Sequence, residues 1–189
     1  MRIPISMTLA ASLLALAACG EPARDAEVQN QDAANATAAE VMARAPINTP
    51  DGKNVGEAIV TETPAGLHIA ITGKGMPAGT HGIHLHTVGK CEAPAFESAG
   101  PHWNPTSKQH GVQNPQGQHS GDLPNFVVAD NGTGILDADI EGARLSEGEG
   151  ALLDADGAAI VVHADPDDLK TDPSGNSGGR IACGVLTAG

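Results

Sequence analysis

Phe126-Val127-Val128-Ala129-Asp130-Asn131-Gly132-Thr133-Gly134-Ile135-Leu136-Asp137-Ala138-Asp139-Ile140 is the stretch whose reading decides the fold. Two β-rich runs, residues 126–129 and 134–140, flank Asp130-Asn131-Gly132. Asn and Gly accept the positive φ that a tight hairpin demands, so the segment reads as two antiparallel strands. The same pattern recurs upstream and downstream. Residues 55–61 and 65–74 alternate around a Pro-Ala-Gly turn, residues 82–88 alternate again, and residues 158–163 and 181–186 are further β-rich runs. Turn formers are plentiful, with 24 Gly and 13 Pro, whereas aromatics are reduced to one Trp and two Phe. Val, Ile, Leu and Ala must therefore fill the core. Many short strands with such punctuation predict an antiparallel sandwich or barrel. Residues 89–122 and 164–179 fit no strand, and loops of that length usually carry function. Residues 147–157 read as a surface loop without evident chemistry.

The 189 residues suit one domain with appendages. Arg2 precedes an apolar stretch over residues 3–18, the form of a secretory signal. It ends in Leu16-Ala17-Ala18-Cys19, similar to the bacterial lipoprotein signal in which the Cys becomes the lipidated first mature residue. A plain signal peptide with an incidental Cys is the other reading. Residues 19–51 are rich in Ala, Asn, Gln, Asp and Glu and carry no persistent apolar period, so they read as lipidated Cys plus disordered tether. A transient helix over residues 33–45 lacks an apolar face. The domain is expected over residues 52–189. The chain is expected to reach the membrane only through its lipid, in the bacterial periplasm and, by analogy, at the outer membrane.

The formal charge of −13 excludes nucleic acid or an anionic surface as a partner reached through overall charge. The eight histidines carry the chemistry. In His84-Leu85-His86, alternation sends both imidazoles to one face, where they can share an ion. Gly100-Pro101-His102-Trp103-Asn104-Pro105, Lys108-Gln109-His110-Gly111 and His119-Ser120-Gly121-Asp122 place three imidazoles and a carboxylate in one irregular loop, a plausible tetrahedral zinc set. Imidazole also suits copper, and no thiolate stands near to favour a softer ion. His163 ends the run Ile160-Val161-Val162-His163. His68 is expected on the surface and His81 in a structural hydrogen bond.

Six segments together resemble the copper–zinc superoxide dismutase family. They are Gly82-Ile83-His84-Leu85-His86, Ser98-Ala99-Gly100-Pro101-His102-Trp103-Asn104-Pro105, His119-Ser120-Gly121-Asp122-Leu123-Pro124, Val161-Val162-His163, Asp167-Asp168-Leu169 and Gly178-Gly179-Arg180-Ile181-Ala182-Cys183-Gly184-Val185. The resemblance spans roughly residues 52–189. It implies an eight-stranded antiparallel Greek-key β-sandwich or barrel with two long functional loops, one copper and one zinc ion per subunit, and superoxide as substrate. His84, His86 and His163 would be ligands of copper alone, and His102 an imidazolate shared by both metals. His110, His119 and Asp122 would complete the zinc set. Asp167 would join a copper His to a zinc His, Cys91 and Cys183 would form a disulfide, and Arg180 would hold the anion beside copper. With those two cysteines paired, lipidation accounts for Cys19. Trp103 stands where the family often has Phe, and the short spacing from His86 to Cys91 resembles bacterial members. Lys170 lies among Asp165, Asp167, Asp168 and Asp172, so the source of steering is open, as is pairing into a homodimer.

Other classes fit less of the pattern. A non-catalytic exported copper- or zinc-binding domain leaves Arg180 without a role. A zinc-stapled structural domain leaves His84, His86 and His163 unexplained. A metallohydrolase needs a general base beside an open zinc, and no Glu is placed for it.

Overall fold

The computed structural model describes residues 41–189. Ten strands follow in order: β1 (Met42–Asn48), β2 (Asn54–Thr63), β3 (Gly66–Lys74), β4 (Gly79–His81), β5 (Ile83–His86), β6 (Phe126–Val128), β7 (Thr133–Glu141), β8 (Ala159–His163), β9 (Arg180–Val185) and β10 (Thr187–Ala188). Glu97–Ala99 forms a single 3-10 turn. All strand pairs are antiparallel. The sheet runs β4-β6-β7-β3-β2-β1-β9-β8-β5, with β10 beside β1. Its two ends, β4 and β5, are halves of one extended run broken only at Gly82, so the sheet closes on itself as a barrel. β9 and β10 are likewise separated only by Leu186. The ten strands therefore reduce to the eight runs expected. β3 lies beside β7 rather than beside its successor β4, which is a Greek-key order.

The expected domain start at residue 52 needs correction. β1 lies in the stretch read as tether, and Ala43 and Ala45, assigned to a transient helix, are strand residues with no solvent exposure. Ala43, Ala45 and Ile47 point inward, while Arg44 and Pro46 point outward. Ala has weak β-propensity, and Pro normally argues against a strand inside a sheet. Pro46 is tolerated because its main chain pairs with Glu57 of β2, whereas β9 and β10 pair only with Asn48, Arg44 and Ala43. The other expectations for residues 1–40, the signal, Cys19 and most of the tether, lie outside the described residues.

The inward faces of β1, β2, β3 and β7 alternate with exposed or half-buried residues, as one-sided sheets do. β5 and β8 differ: every residue in both is buried. Ile83, Leu85, Ile160 and Val162 belong to the barrel core. The opposite face of β8 is covered, with Ala159 and Val161 packing against Phe96, Ala99 and Cys183. A strand pair buried on both faces is where the barrel can carry a water-excluded site.

Candidate metal centre

The site begins with the edge of β5 that faces no further strand. Trp103 donates its N–H to Leu85 O at 2.8 Å, Leu85 donates to Gly121 O at 3.0 Å, and Gly121 donates to Trp103 O at 2.8 Å. Residues 101–103 and 121–122 are thus stitched beside the strand, with His102 opposite His86 and Asp122 opposite His84. Gly121 is required there, because a Cβ would strike the carbonyl oxygen of Leu85. β8, on the other side of β5, delivers His163.

Four imidazoles converge. His84 Nδ1, His86 Nε2, His102 Nε2 and His163 Nε2 are all buried and have no hydrogen-bond partner. Leaving one such atom orphaned costs about 1–3 kcal/mol, so four pointing together call for a cation. Their other nitrogens are occupied: His84 Nε2 by Asp167 Oδ2 at 2.8 Å, His86 Nδ1 by Gly100 O at 2.8 Å, His163 Nδ1 by Gly178 O at 3.2 Å, and His102 Nδ1 by Asp122 Oδ1 at 2.9 Å. His84, His86 and His163 are thus fixed in orientation and tautomer by partners outside the cluster, whereas His102 turns its Nδ1 into the second one. Burial is the chief reason these rings resist protonation. It takes His84 down to about 3 and His163 down to about 4, and His86 and His102 are also lowered. Neutral imidazoles are what a metal requires.

The second cluster gathers on one oxygen. Asp122 Oδ1 lies 2.9 Å from His102 Nδ1, 3.0 Å from His110 Nδ1 and 3.2 Å from His119 Nδ1, and the last is 3.4 Å from His102 Nδ1. Ligands at ~2.0 Å from a tetrahedral zinc are separated by about 3.3 Å, so these distances have the size of a tetrahedron's edges. Asp122 Oδ2 accepts the N–H groups of Gly111 and His119, which fixes the carboxylate. Burial alone would disfavour a charge on His110, but Asp122 and Asp167 outweigh it and push this ring up to about 9. The same ring, together with His102, holds the Asp122 carboxyl well below its ordinary range. Asp167 ties the two clusters, accepting from His84 Nε2 and, at 3.0 Å, from His110 Nε2. Among the described residues, two groups have the spacing to hold an ion: His84, His86, His102 and His163, and His84, His102, His110 and Asp122. His84 reaches both, yet its Nε2 is taken by Asp167 and its free Nδ1 belongs to the first. His119 completes the second by its distances.

Residues 54–186 match the family model described as copper/zinc superoxide dismutase. The chain belongs to the copper/zinc superoxide dismutase family. It is 44% identical over 147 residues to superoxide dismutase [Cu-Zn] of Caulobacter vibrioides, covering 76% of this chain and 84% of that one. It is 40% identical over 149 residues to superoxide dismutase [Cu-Zn] 2 of Aquifex aeolicus, covering 78% and 87%. The crystal structure of a superoxide dismutase-like protein from Bacillus subtilis superposes with a TM-score of 0.72 at 39% identity, covering 76% of this chain and 97% of that one. Copper and zinc are therefore its cofactors, and the two clusters fit them.

As in any dismutase of this family, the metal cluster must open to an anion. A cleft of about 900 Å³ is lined by His102, His163, Arg180, Lys108, Asp154 and Asp172, among others. Arg180 donates to Phe96 O at 2.7 Å and to Gly100 O at 2.8 Å, so its guanidinium is held in place at the wall. Gly100 O also receives His86 Nδ1, so one carbonyl orients both a ring of the first cluster and the cation. The loop bearing these carbonyls is tied to β9 by the Cys91–Cys183 disulfide, Cα–Cα 5.7 Å. Lys108, not Lys170, supplies the cleft's second cation, a role that the order of residues alone did not reveal. Nor did the sequence flag residues 150–154, where Gly150, Ala151 and Asp154 form part of the wall. His68 is at the surface and bonds Asp139 at 2.8 Å, and buried His81 bonds His163 O at 2.9 Å and Pro77 O at 3.1 Å. Both stay outside the clusters.

Proposed function

We propose that the chain dismutates superoxide, turning two superoxide ions and two protons into dioxygen and hydrogen peroxide. His84 Nδ1 and Nε2 of His86, His102 and His163 would hold copper. Nδ1 of His102, His110 and His119, with Asp122, would hold zinc. The carrying observation is the convergence of four buried, unpartnered imidazole nitrogens beside a cleft walled by Arg180. Copper, when bound, supplies a reversible one-electron change, and zinc a fixed positive charge. Arg180 receives the anion, since its guanidinium keeps its charge at any working pH. His102 Nε2, the nitrogen that faces the copper set, could take up and pass a proton only while it does not ligate a metal, and its Nδ1 stays pinned in the Asp122 cluster throughout. Asp167, bonded to His84 and His110, keeps both rings aligned. A non-catalytic metal-binding domain is disfavoured, because no ring of the copper set is missing and Arg180 stands ready.

Elemental analysis and a dismutation assay on one sample test the reading. One copper and one zinc per chain, with activity lost on copper removal, are expected. Zinc without copper uptake, and no activity after copper loading, would overturn it. Arg180→Glu is expected to lower the rate and reverse its dependence on ionic strength. An unchanged salt profile would remove Arg180 from substrate capture.

Export to the bacterial periplasm and a lipid anchor on Cys19, at the outer membrane, complete the proposal. The apolar stretch before Cys19 supports it, and so does the disulfide, which an oxidising compartment favours and which leaves Cys19 outside the pair among three cysteines. Cys19→Ser should move the protein from the membrane fraction to the soluble one. Whether two copies pair is tested by sedimentation of the parent and of Ile135→Glu, since Ile135 and Val127 are exposed beside one groove.

A further inference from the structure

We infer that Asp172 is a positioning residue for the zinc half of the centre, placed in the anion's cleft although its charge works against the reaction. This rests on the ligand assignment proposed above. His110 reaches the centre from an irregular loop, so no strand ladder fixes its main chain. Asp172 Oδ1 accepts the His110 N–H at 2.7 Å. The same oxygen lies 3.8 Å from His119 Nε2. One carboxylate from the 164–179 loop therefore touches the backbone of one zinc-side residue and faces the outer nitrogen of another. A ring that offers Nδ1 to a cation keeps its proton on Nε2, and that N–H needs an acceptor. For His110 the acceptor is Asp167 at 3.0 Å. For His119 it is Asp172, directly after a small side-chain rotation or through one water.

The location makes this costly for turnover. Asp172 is half exposed and lines the cleft with Lys108 and Arg180. Glu97 and Asp154 line it too. Superoxide is an anion, and like charges within a Debye length of about 8–10 Å repel it. An amide at this position would still offer an oxygen to the His110 N–H without repelling substrate. The carboxylate adds a full charge over the amide, which strengthens the bond from the His110 N–H and faces the His119 imidazole.

Asp172→Asn and Asp172→Ala, made in the full chain, separate the two contacts. Zinc affinity is read by chelator competition, the ligand field by the visible spectrum with cobalt(II) in the zinc position, and dismutation at several ionic strengths. Asp172→Ala should lose on the order of tenfold in zinc affinity. Asp172→Asn should lose less and still shift the cobalt bands. With metals loaded, both should react roughly twofold faster at low ionic strength and match the parent at high salt. Unchanged affinity and spectrum in both variants would overturn the inference. A loss in Asp172→Ala with Asp172→Asn identical to the parent would overturn the His119 contact and leave only a backbone cap. If the unaltered chain takes up no zinc, the ligand assignment itself falls, whereas a zinc-binding parent matched by its variants removes this inference alone.

Discussion

The two halves of the metal centre use the same side chain in opposite ways. His84, His86 and His163 ride on β5 and β8, which are buried on both faces and paired residue by residue. Two of these rings are oriented by backbone carbonyls, Gly100 O and Gly178 O. His110 and His119 ride on a loop, and their surroundings are carboxylates, Asp122, Asp167 and Asp172. Burial keeps the strand-borne rings neutral, whereas carboxylates favour charge on His110. The strand half is thus built by the barrel and presents neutral donor nitrogens. The loop half is a concentration of negative charge that a cation must satisfy.

The largest expected effect follows from that difference. Zinc removal should release the loop half and spare the strand half. Amide hydrogen exchange should speed up by more than ~100-fold over residues 104–121 and 164–178 while β5 and β8 keep their protection. Equal loss in β5 would break the comparison, because the strands would then depend on zinc as much as the loop does.

A smaller effect tests Asp167, which joins the halves by hydrogen bonds to His84 and His110. Gly175 has φ +63, and a Cβ there would land on Asp167 Oδ1 and within 2.7 Å of His110 Nε2. Gly175→Ala must displace Asp167 from at least one of its rings. Zinc affinity should fall about 10–100-fold. Copper affinity, measured in parallel, should change less, since His84 sits on a strand and keeps its place without Asp167. A larger copper loss would show that Asp167, not the strand, positions His84.

The same contrast explains what could be read from the residues alone. His84-Leu85-His86 was legible because strand periodicity places i and i+2 together, whatever the rest of the chain does. The hairpin at Asp130-Asn131-Gly132 was legible because turn chemistry is local: β6 and β7 end on either side of it, and Asn131 Oδ1 accepts the Thr133 N–H at 3.1 Å. β1 was hidden because Ala43, Ala45 and Pro46 become strand residues only when β2 supplies the partner. The carbonyl of Gly100, which orients His86 and Arg180 together, leaves no mark in the sequence, since every residue has one. Lys108 and Asp172 were visible as charges, but only the packing of two distant loops brings them to one cleft.

The gentlest test uses pH. In demetallated protein, His110, pushed up to about 9, carries a proton at neutral pH. Zinc must displace it, so zinc affinity should rise about tenfold per pH unit until it levels near pH 9, with release of one proton in calorimetry. His84 and His163, taken down to about 3 and about 4, are already neutral, so copper affinity should be flat across the same range. Folding of the demetallated protein should show the opposite trend for His110. Its raised value stabilises the fold fully below the unfolded 6.5, and that contribution disappears as pH rises through 9. The Asp122 and Asp167 carboxyls, both lowered, contribute above the unfolded 3.8 and lose their contribution only in acid. Zinc affinity flat from pH 6 to 9 would mean that His110 is neutral before the ion arrives. The loop half would then be preorganised like the strand half, and the distinction between them would reduce to scaffold alone.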